Sequence, residues 1–374
     1  MKSELRDFIL SHPDTWEEEL TTEPYCLKIE RAEETDYIMF KYNQLCSDFN
    51  LPIVREARGI IFNEKTWQCV CRAFDKFGNY GESYVPEIDW DSAFISEKID
   101  GSLMKIWYRP EIGQWHCSTN GKICSGEATL GVTNFGDLFA KEFEKDESRF
   151  DVLDKNKCYM FELVSPYNTV VIHYPTTEIY FLGSRDLTTG QEYSFLDEPE
   201  VASKFKTPAV YSMTCLEDVE KAAAMLSWDE EGYVVCDKNF NRCKIKSPAY
   251  VRAHYLRNNG VITIKKLLEV IEAGEEVEFL TYAEEFIEPL EKVKAAKEFI
   301  KNETIIFKVG LVALPHPLTK REHYDYVCGF GFTNKDLVNY CIKLYDNPAL
   351  TWEEYTKNWD IHHWTRCIER EVTL

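Results

Sequence analysis

Along residues 24–110 apolar and polar positions alternate in the manner of strands, whereas beyond about residue 255 they recur at helical spacing. Alternation means that successive side chains point to opposite faces of a sheet, and a recurrence near 3.6 residues gathers them on one side of a helix. The first pattern predicts strands at 37–43, 59–62 and 94–98, each bounded by turn residues. Residues 103–108 and 115–119 read as a hairpin around a Pro110-to-Gly113 turn. Further strands are expected at 158–163, 169–174, 178–184, 232–236 and 242–247, with a helix at 216–227 interrupting them. Residues 4–20 can form a short helix, and in 134–149 Phe135, Leu138, Phe139 and Phe143 fit one apolar helix face.

The second pattern covers 261–273 and 276–301, where Val277, Leu280, Phe286, Ile287, Leu290, Val293 and Ile300 share helical spacing. Residues 334–345 and 351–369 also read as helices. No repeat or low-complexity tract interrupts this order. The prediction is therefore an α+β chain: a body of mixed and antiparallel sheet over 1–255, then an all-helical C-terminal domain over 256–374. A length of 374 residues accommodates two such domains.

Composition adds limits. No apolar run approaches the ~20 residues of a membrane span, and the first twenty residues mix charge with apolar groups, unlike a signal peptide. A soluble, intracellular monomer is expected, with no membrane partner. The 13 cysteines are scattered without a C-x-x-C pair, so reduced structural thiols are the expectation rather than a zinc site or disulfide framework.

A net charge of −21 argues against nucleic acid only until its distribution is read. From Asn241 to Leu268 there is no acid, against seven bases: Arg242, Lys244, Lys246, Arg252, Arg257, Lys265 and Lys266. Either this is a solvated face balanced by nearby acids, or it is a site for polyphosphate or an RNA backbone.

Chemistry concentrates at residues 97–102, Glu-Lys-Ile-Asp-Gly-Ser. Lys98 closes a strand and an Asp-Gly turn follows at once, which projects an amine from a rigid strand end while Gly101 lets a phosphate approach the backbone. Alone, such a segment is an ordinary turn. Its company gives it specificity: Arg58 upstream, then Glu162, Glu231 and the pair Lys244 and Lys246, each in or beside a strand-like run. Two lysines two residues apart on a strand face the same side, and a shared polyphosphate offsets their repulsion.

At these residues the chain resembles the covalent nucleotidyltransferase superfamily of ligases and RNA capping enzymes. More closely, it resembles the phage-type single-strand (type 1) ATP-dependent RNA ligase family. The resemblance covers the whole chain and is strongest between Phe40 and Tyr250. It implies a nucleotidyltransferase (ATP-grasp-like ligase) body with Lys98 as nucleophile in K-x-D-G-S, where Asp100 is also functional. It places Glu162 in F-E-L-V-S-P-Y-N, a metal-binding glutamate at Glu231 and the lysine pair at Lys244 and Lys246. It further assigns ATP contacts to Tyr42 in F-x-Y-N, Arg58 in R-G-I and Lys76 in K-F-x-N, and a functional role to Tyr250. DNA ligases carry an Arg where this chain has Leu103. Two positions depart from the family: its hairpin lysine corresponds to Asn120, with Lys122 two places on. Its acidic metal contact in the tail aligns to Glu275, Glu276 or Glu278.

The resemblance implies three steps. Lys98 attacks the α-phosphorus of ATP with Mg²⁺ (or Mn²⁺) present, AMP passes to an RNA 5′-phosphate, and a 3′-hydroxyl displaces AMP. The expected partner is RNA with those two ends, a broken tRNA by family analogy, selected by the tail. An unperturbed lysine titrates near ~10.4, so nearby Lys244, Lys246 and Arg58 are expected to favour the neutral amine of Lys98. Lys244 and Lys246 would neutralise phosphate charge. Glu162 suits ribose hydroxyls, and Phe181 is a stacking candidate for adenine, with core packing its equal alternative. A capping guanylyltransferase or DNA ligase would share the set but continue into a β-barrel. A non-catalytic RNA-end-binding module is the remaining alternative.

Overall fold

The computed structural model describes residues 2–33, 35–123, 134–168, 170–255, 262–314 and 317–372. The chain divides into two compact units, 1–254 and 255–374.

The first unit holds three sheets, antiparallel in every strand pairing. One runs in chain order through Lys28–Arg31 (β1), Tyr37–Lys41 (β2), Arg58–Asn63 (β3) and Cys69–Cys71 (β4). The next strands are Phe94–Glu97 (β5), Ser102–Arg109 (β6), Gln114–Thr119 (β7), Lys157–Val164 (β8), Glu178–Asp186 (β9), Glu192–Ser194 (β10), Val210–Tyr211 (β11), Gly232–Cys236 (β12) and Arg242–Lys246 (β13). They form a five-stranded sheet, β10-β9-β8-β6-β7, and a four-stranded sheet, β11-β5-β12-β13.

Apolar faces dictate the layering. Met39, Ile61 and Cys71 of the first sheet pack against Trp107, Cys158 and Met160 of the five-stranded sheet. The other face of that five-stranded sheet, with Phe161, Leu163 and Phe181, is covered by Leu138, Phe139 and Phe143 from helix Phe135–Phe143. In the third sheet, Ile95 and Val235 pack on Val219 and Ala223 of helix Leu216–Met225.

Several elements differ from the sequence expectation, each for a local reason. The helix expected over 4–20 is two, Glu4–Ser11 and Trp16–Thr21, with Pro13 between them. Residues 52–56 turn helical with Pro52 in the first turn, inside a region read as strands. Apart from residue 169, which lies outside the described residues, the stretch 169–174 carries no strand. Its backbone N–H groups are used differently, as shown below.

In the second unit every regular element among the described residues is helical. Gly274 ends helix Ile264–Ala273 in the left-handed region, with φ +67°. The helix expected over 276–301 is broken into Glu276–Tyr282, a 3₁₀ turn and Ile287–Val312. Pro289 has no N–H to give and is tolerated only in a first turn, which fixes the restart at Ile287. The expected helix over 351–369 is Trp352–Thr356 and Ile361–Ile368, the latter capped by Asp360. Helix Lys320–Gly329, which the sequence reading lacks, begins at a Thr319/Glu322 capping box. No helix among the described residues is long and apolar enough to cross a membrane.

Phe181 tests the five-stranded core. It is fully buried against Phe161 and Phe205, at centroid distances of 5.4 and 6.4 Å. Phe181→Ala should lower unfolding free energy by about 3–5 kcal/mol, through lost burial plus a residual cavity. Denaturant titration checks this; a change within about 0.5 kcal/mol, ordinary for surface positions, would contradict the packing described.

Candidate active site

Strand register assembles the site. Tyr233 of β12 lies opposite Glu97 of β5, so the Lys98 backbone N–H donates to the Gly232 carbonyl at 2.9 Å. Glu231, one residue earlier, therefore stands beside Lys98, and Lys98 Nζ is 2.6 Å from Glu231 Oε1. The β12/β13 hairpin places Lys246 opposite Gly232 and Lys244 opposite Val234. Lys246 Nζ reaches the same Glu231 oxygen at 3.8 Å. Lys244 shares its face with Lys246 and lines the adjoining cavity. The outer edge of β13 is covered by residues 78–80: Lys244 N–H donates to the Gly78 carbonyl and Tyr80 N–H to the Lys244 carbonyl, both at 3.0 Å.

That cavity has a volume of about 640 Å³, and its wall includes Arg58, Lys76, Lys98, Glu162 and Lys244. The size suits a nucleotide-sized ligand. Its apolar wall comes from Phe74, Phe77, Phe94, Phe135, Phe195 and Leu182. Arg58 faces it with Nε and Nη1 buried and, among the described residues, unpartnered, the guanidinium 5.2 Å from the Phe77 ring centroid. Lys76 lies 5.3 Å from the Tyr42 centroid and 5.2 Å from that of Phe49, so Tyr42 sits behind Lys76.

The turn after Lys98 is fixed by Asp100, which is 3% exposed. Its carboxylate accepts from Val171 N–H at 3.0 Å, Ile172 N–H at 2.8 Å and the Tyr250 hydroxyl at 2.8 Å. These are the amides of the expected 169–174 strand, spent instead on an anion. Gly101 also has a different use from the one expected. A Cβ there would come within 2.5 Å of the Leu163 carbonyl and 3.0 Å of Glu162 Cγ. Glycine is needed so that the turn can lie against β8.

Three expectations require correction. Phe181 is not on the cavity wall; period-two alternation along β9 turns it into the core and presents its neighbour Leu182. The closest charge to Lys98 is not a cation but the Glu231 carboxylate. The acid-free run after Asn241 does not form one basic face. Arg242 is buried and paired with Glu192, while Lys265 and Lys266 pair with Glu269 at 3.9 and 3.3 Å. Arg257 lies outside the described residues.

Glu275 accepts from the Tyr255 hydroxyl at 2.9 Å, and Glu276 lies 4.0 Å from Lys294, all within the second unit. Lys122 lines the cavity but its ammonium is 3.7 Å from Glu30. Among the described residues no group of three His, Cys, Asp or Glu side chains is placed to hold a metal ion. A cation at Glu231 would thus need oxygens from its ligand and from water, the way Mg²⁺ is held beside phosphates.

With this geometry in hand, known proteins supply the class. Residues 56–250 match the family described as RNA ligase. A candidate bifunctional polynucleotide kinase/RNA ligase of Autographa californica nuclear polyhedrosis virus is 31% identical over 313 residues, covering 77% of this chain and 43% of that protein. A candidate RNA ligase of Thermovibrio ammonificans is 32% identical over 244 residues, covering 60% and 59%. The chain thus spans less than two thirds of either relative. A solved archaeal ATP-dependent RNA ligase shares 14% identity at a TM-score of 0.46, over 91% of this chain and 80% of that one. The chain belongs to the RNA ligase family.

Burial pushes the Glu162 carboxyl up to about 8, Lys98 and Arg58 opposing the rise and Glu231 adding to it. The folded chain therefore keeps this proton through a range in which the unfolded chain, titrating near 4.5, has lost it. Where the folded state binds more protons, stability falls as pH rises. Glu162→Gln should remove that component of the decline between pH 4.5 and pH 8, measured by denaturant titration of the free protein at several pH values. An unchanged slope would contradict the raised carboxyl.

Proposed function

We propose that the chain is an ATP-dependent RNA ligase acting through AMP carried on Lys98. The observation that supports this most is one carboxylate, Glu231, contacting two lysines, Lys98 and Lys246, of which Lys98 joins Lys244 and Arg58 on the cavity wall. A triphosphate fits such a wall, because each cation faces a place where negative charge would lie.

Adenylylation needs the free amine of Lys98, whose Nζ meets the Glu231 carboxylate at 2.6 Å. Glu231 would hold a divalent cation through its carboxylate, with phosphate and water oxygens completing the set. Bound there, such a cation would supply charge neutralisation on the phosphates. The nitrogen of Lys98 then forms a bond to the α-phosphorus, the bond to the pyrophosphate oxygen breaks, and the amine proton is released. Lys244 and Lys246 stabilise the charge that gathers on the α-phosphate. Glu162, protonated in the free protein, can both donate to and accept from a ribose hydroxyl.

In the two later steps an RNA 5′-phosphate oxygen takes AMP from Lys98, and a 3′-hydroxyl displaces AMP to form the phosphodiester. Among the described residues of the second unit there is no strand, which disfavours the β-barrel expected of a capping guanylyltransferase or DNA ligase.

Lys98→Ala should form no AMP adduct with ATP and a divalent cation, yet should seal RNA supplied with a pre-adenylylated 5′ end. Sealing of that substrate bypasses the amine. Retained adduct formation in the variant would place the nucleophile elsewhere.

A further inference from the structure

Lys105 is fully buried at the middle of β6, opposite Ser118 of β7 and Met160 of β8. Its neighbours include the thiols of Cys71, Cys117 and Cys158. Among the described residues it has no carboxylate partner; its amine donates to the carbonyl of Gly59. Burial lowers the Lys105 amine from its ordinary value, the three thiols opposing the shift and Arg58 adding to it; a polar amine placed so deep costs stability, so its position calls for a purpose.

Gly59 follows Arg58 directly, and the two begin β3 beside the irregularity at Phe40 and Lys41. Gly59 adopts φ +72°, and a Cβ there would stand 2.7 Å from the Asn120 carbonyl and 2.7 Å from Lys105 Nζ. Only glycine admits the amine this close. The turn at Asn120 and Gly121 is tied to β2 by Lys41, which donates to the Gly121 carbonyl at 2.6 Å. Arg58 is thereby held at its own backbone, while among the described residues its Nε and Nη1 are buried without partners at the cavity wall. Unpaired guanidinium donors in such a place call for an anionic ligand.

We propose that Lys105 is a positioning residue for Arg58: its amine, seated on the Gly59 carbonyl, aims the guanidinium at a phosphate of the bound nucleotide. This rests on the cavity being the ATP site. Lys105 touches no ligand and acts through Arg58.

The test is a double-mutant cycle on the full chain, with ATP binding read by calorimetry and AMP adduct formation read separately. Lys105→Met keeps the length of the side chain and removes the donor. It should weaken ATP binding about tenfold, the equivalent of one hydrogen bond, and melt at or above the wild-type temperature. Lys105→Gln, which keeps a donor, should recover part of the loss. In an Arg58→Ala background Lys105→Met should have no further effect. An equal loss in both backgrounds, or no loss in either, overturns the proposal. If Lys105→Met does not fold, Lys105→Gln takes its place in the same cycle. A wild-type chain that binds ATP without forming an adduct would sink the ligase reading and leave the binding cycle to decide the role of Lys105.

Discussion

Strand pairing sets Lys98 beside Glu231, and their side chains meet at 2.6 Å. The β5/β12 register brings the Gly232 carbonyl to the Lys98 amide, and the β12/β13 hairpin adds Lys244 and Lys246 on one face. A one-residue slip in either pairing would turn one set of side chains to the opposite face. The third sheet therefore determines the site's chemistry, and the other two sheets with their cores keep it in place.

The same economy governs the turn after Lys98. Asp100, whose carboxylate takes two amides and a tyrosine hydroxyl, ties β5 to the 171–172 segment and to helix Pro248–Tyr255. Gly101 allows the turn to touch β8, where Glu162 stands. Each member of the motif thus has a structural duty beside any role toward a ligand. A buried carboxylate so fully occupied is a joint and not a spare base.

How much of this was legible depended on range. The Lys-Ile-Asp-Gly segment is contiguous, and Lys244 with Lys246 needs only the alternation of one strand, so local pattern sufficed. Strand existence was legible for the same reason, as at β13, where Arg242-Cys-Lys-Ile-Lys246 alternates polar and apolar positions. Phe181 and Leu182 are both apolar, and alternation alone cannot tell which one meets a cavity built by two sheets. Lys105 reads as a polar position of an alternating strand, but tertiary contact buries it on the same face as Trp107. The ion partner of Lys98 lies 133 positions away in the chain, and only the register reveals it. Helix Lys320–Gly329 is strongly polar, Lys-Arg-Glu-His-Tyr-Asp-Tyr at its start, and gives little hydrophobic period to read.

The central claim is that nucleotide chemistry occurs on the amine at the end of β5. Its most direct measurement is incubation of the full chain with α-labelled ATP and a divalent cation, followed by mass mapping of the labelled peptide. The account predicts a mass increase of one AMP on the peptide containing Lys98, through a nitrogen–phosphorus bond that survives base and is lost in acid. Label on any other lysine, or a mature protein that binds ATP and carries no covalent AMP, would contradict it.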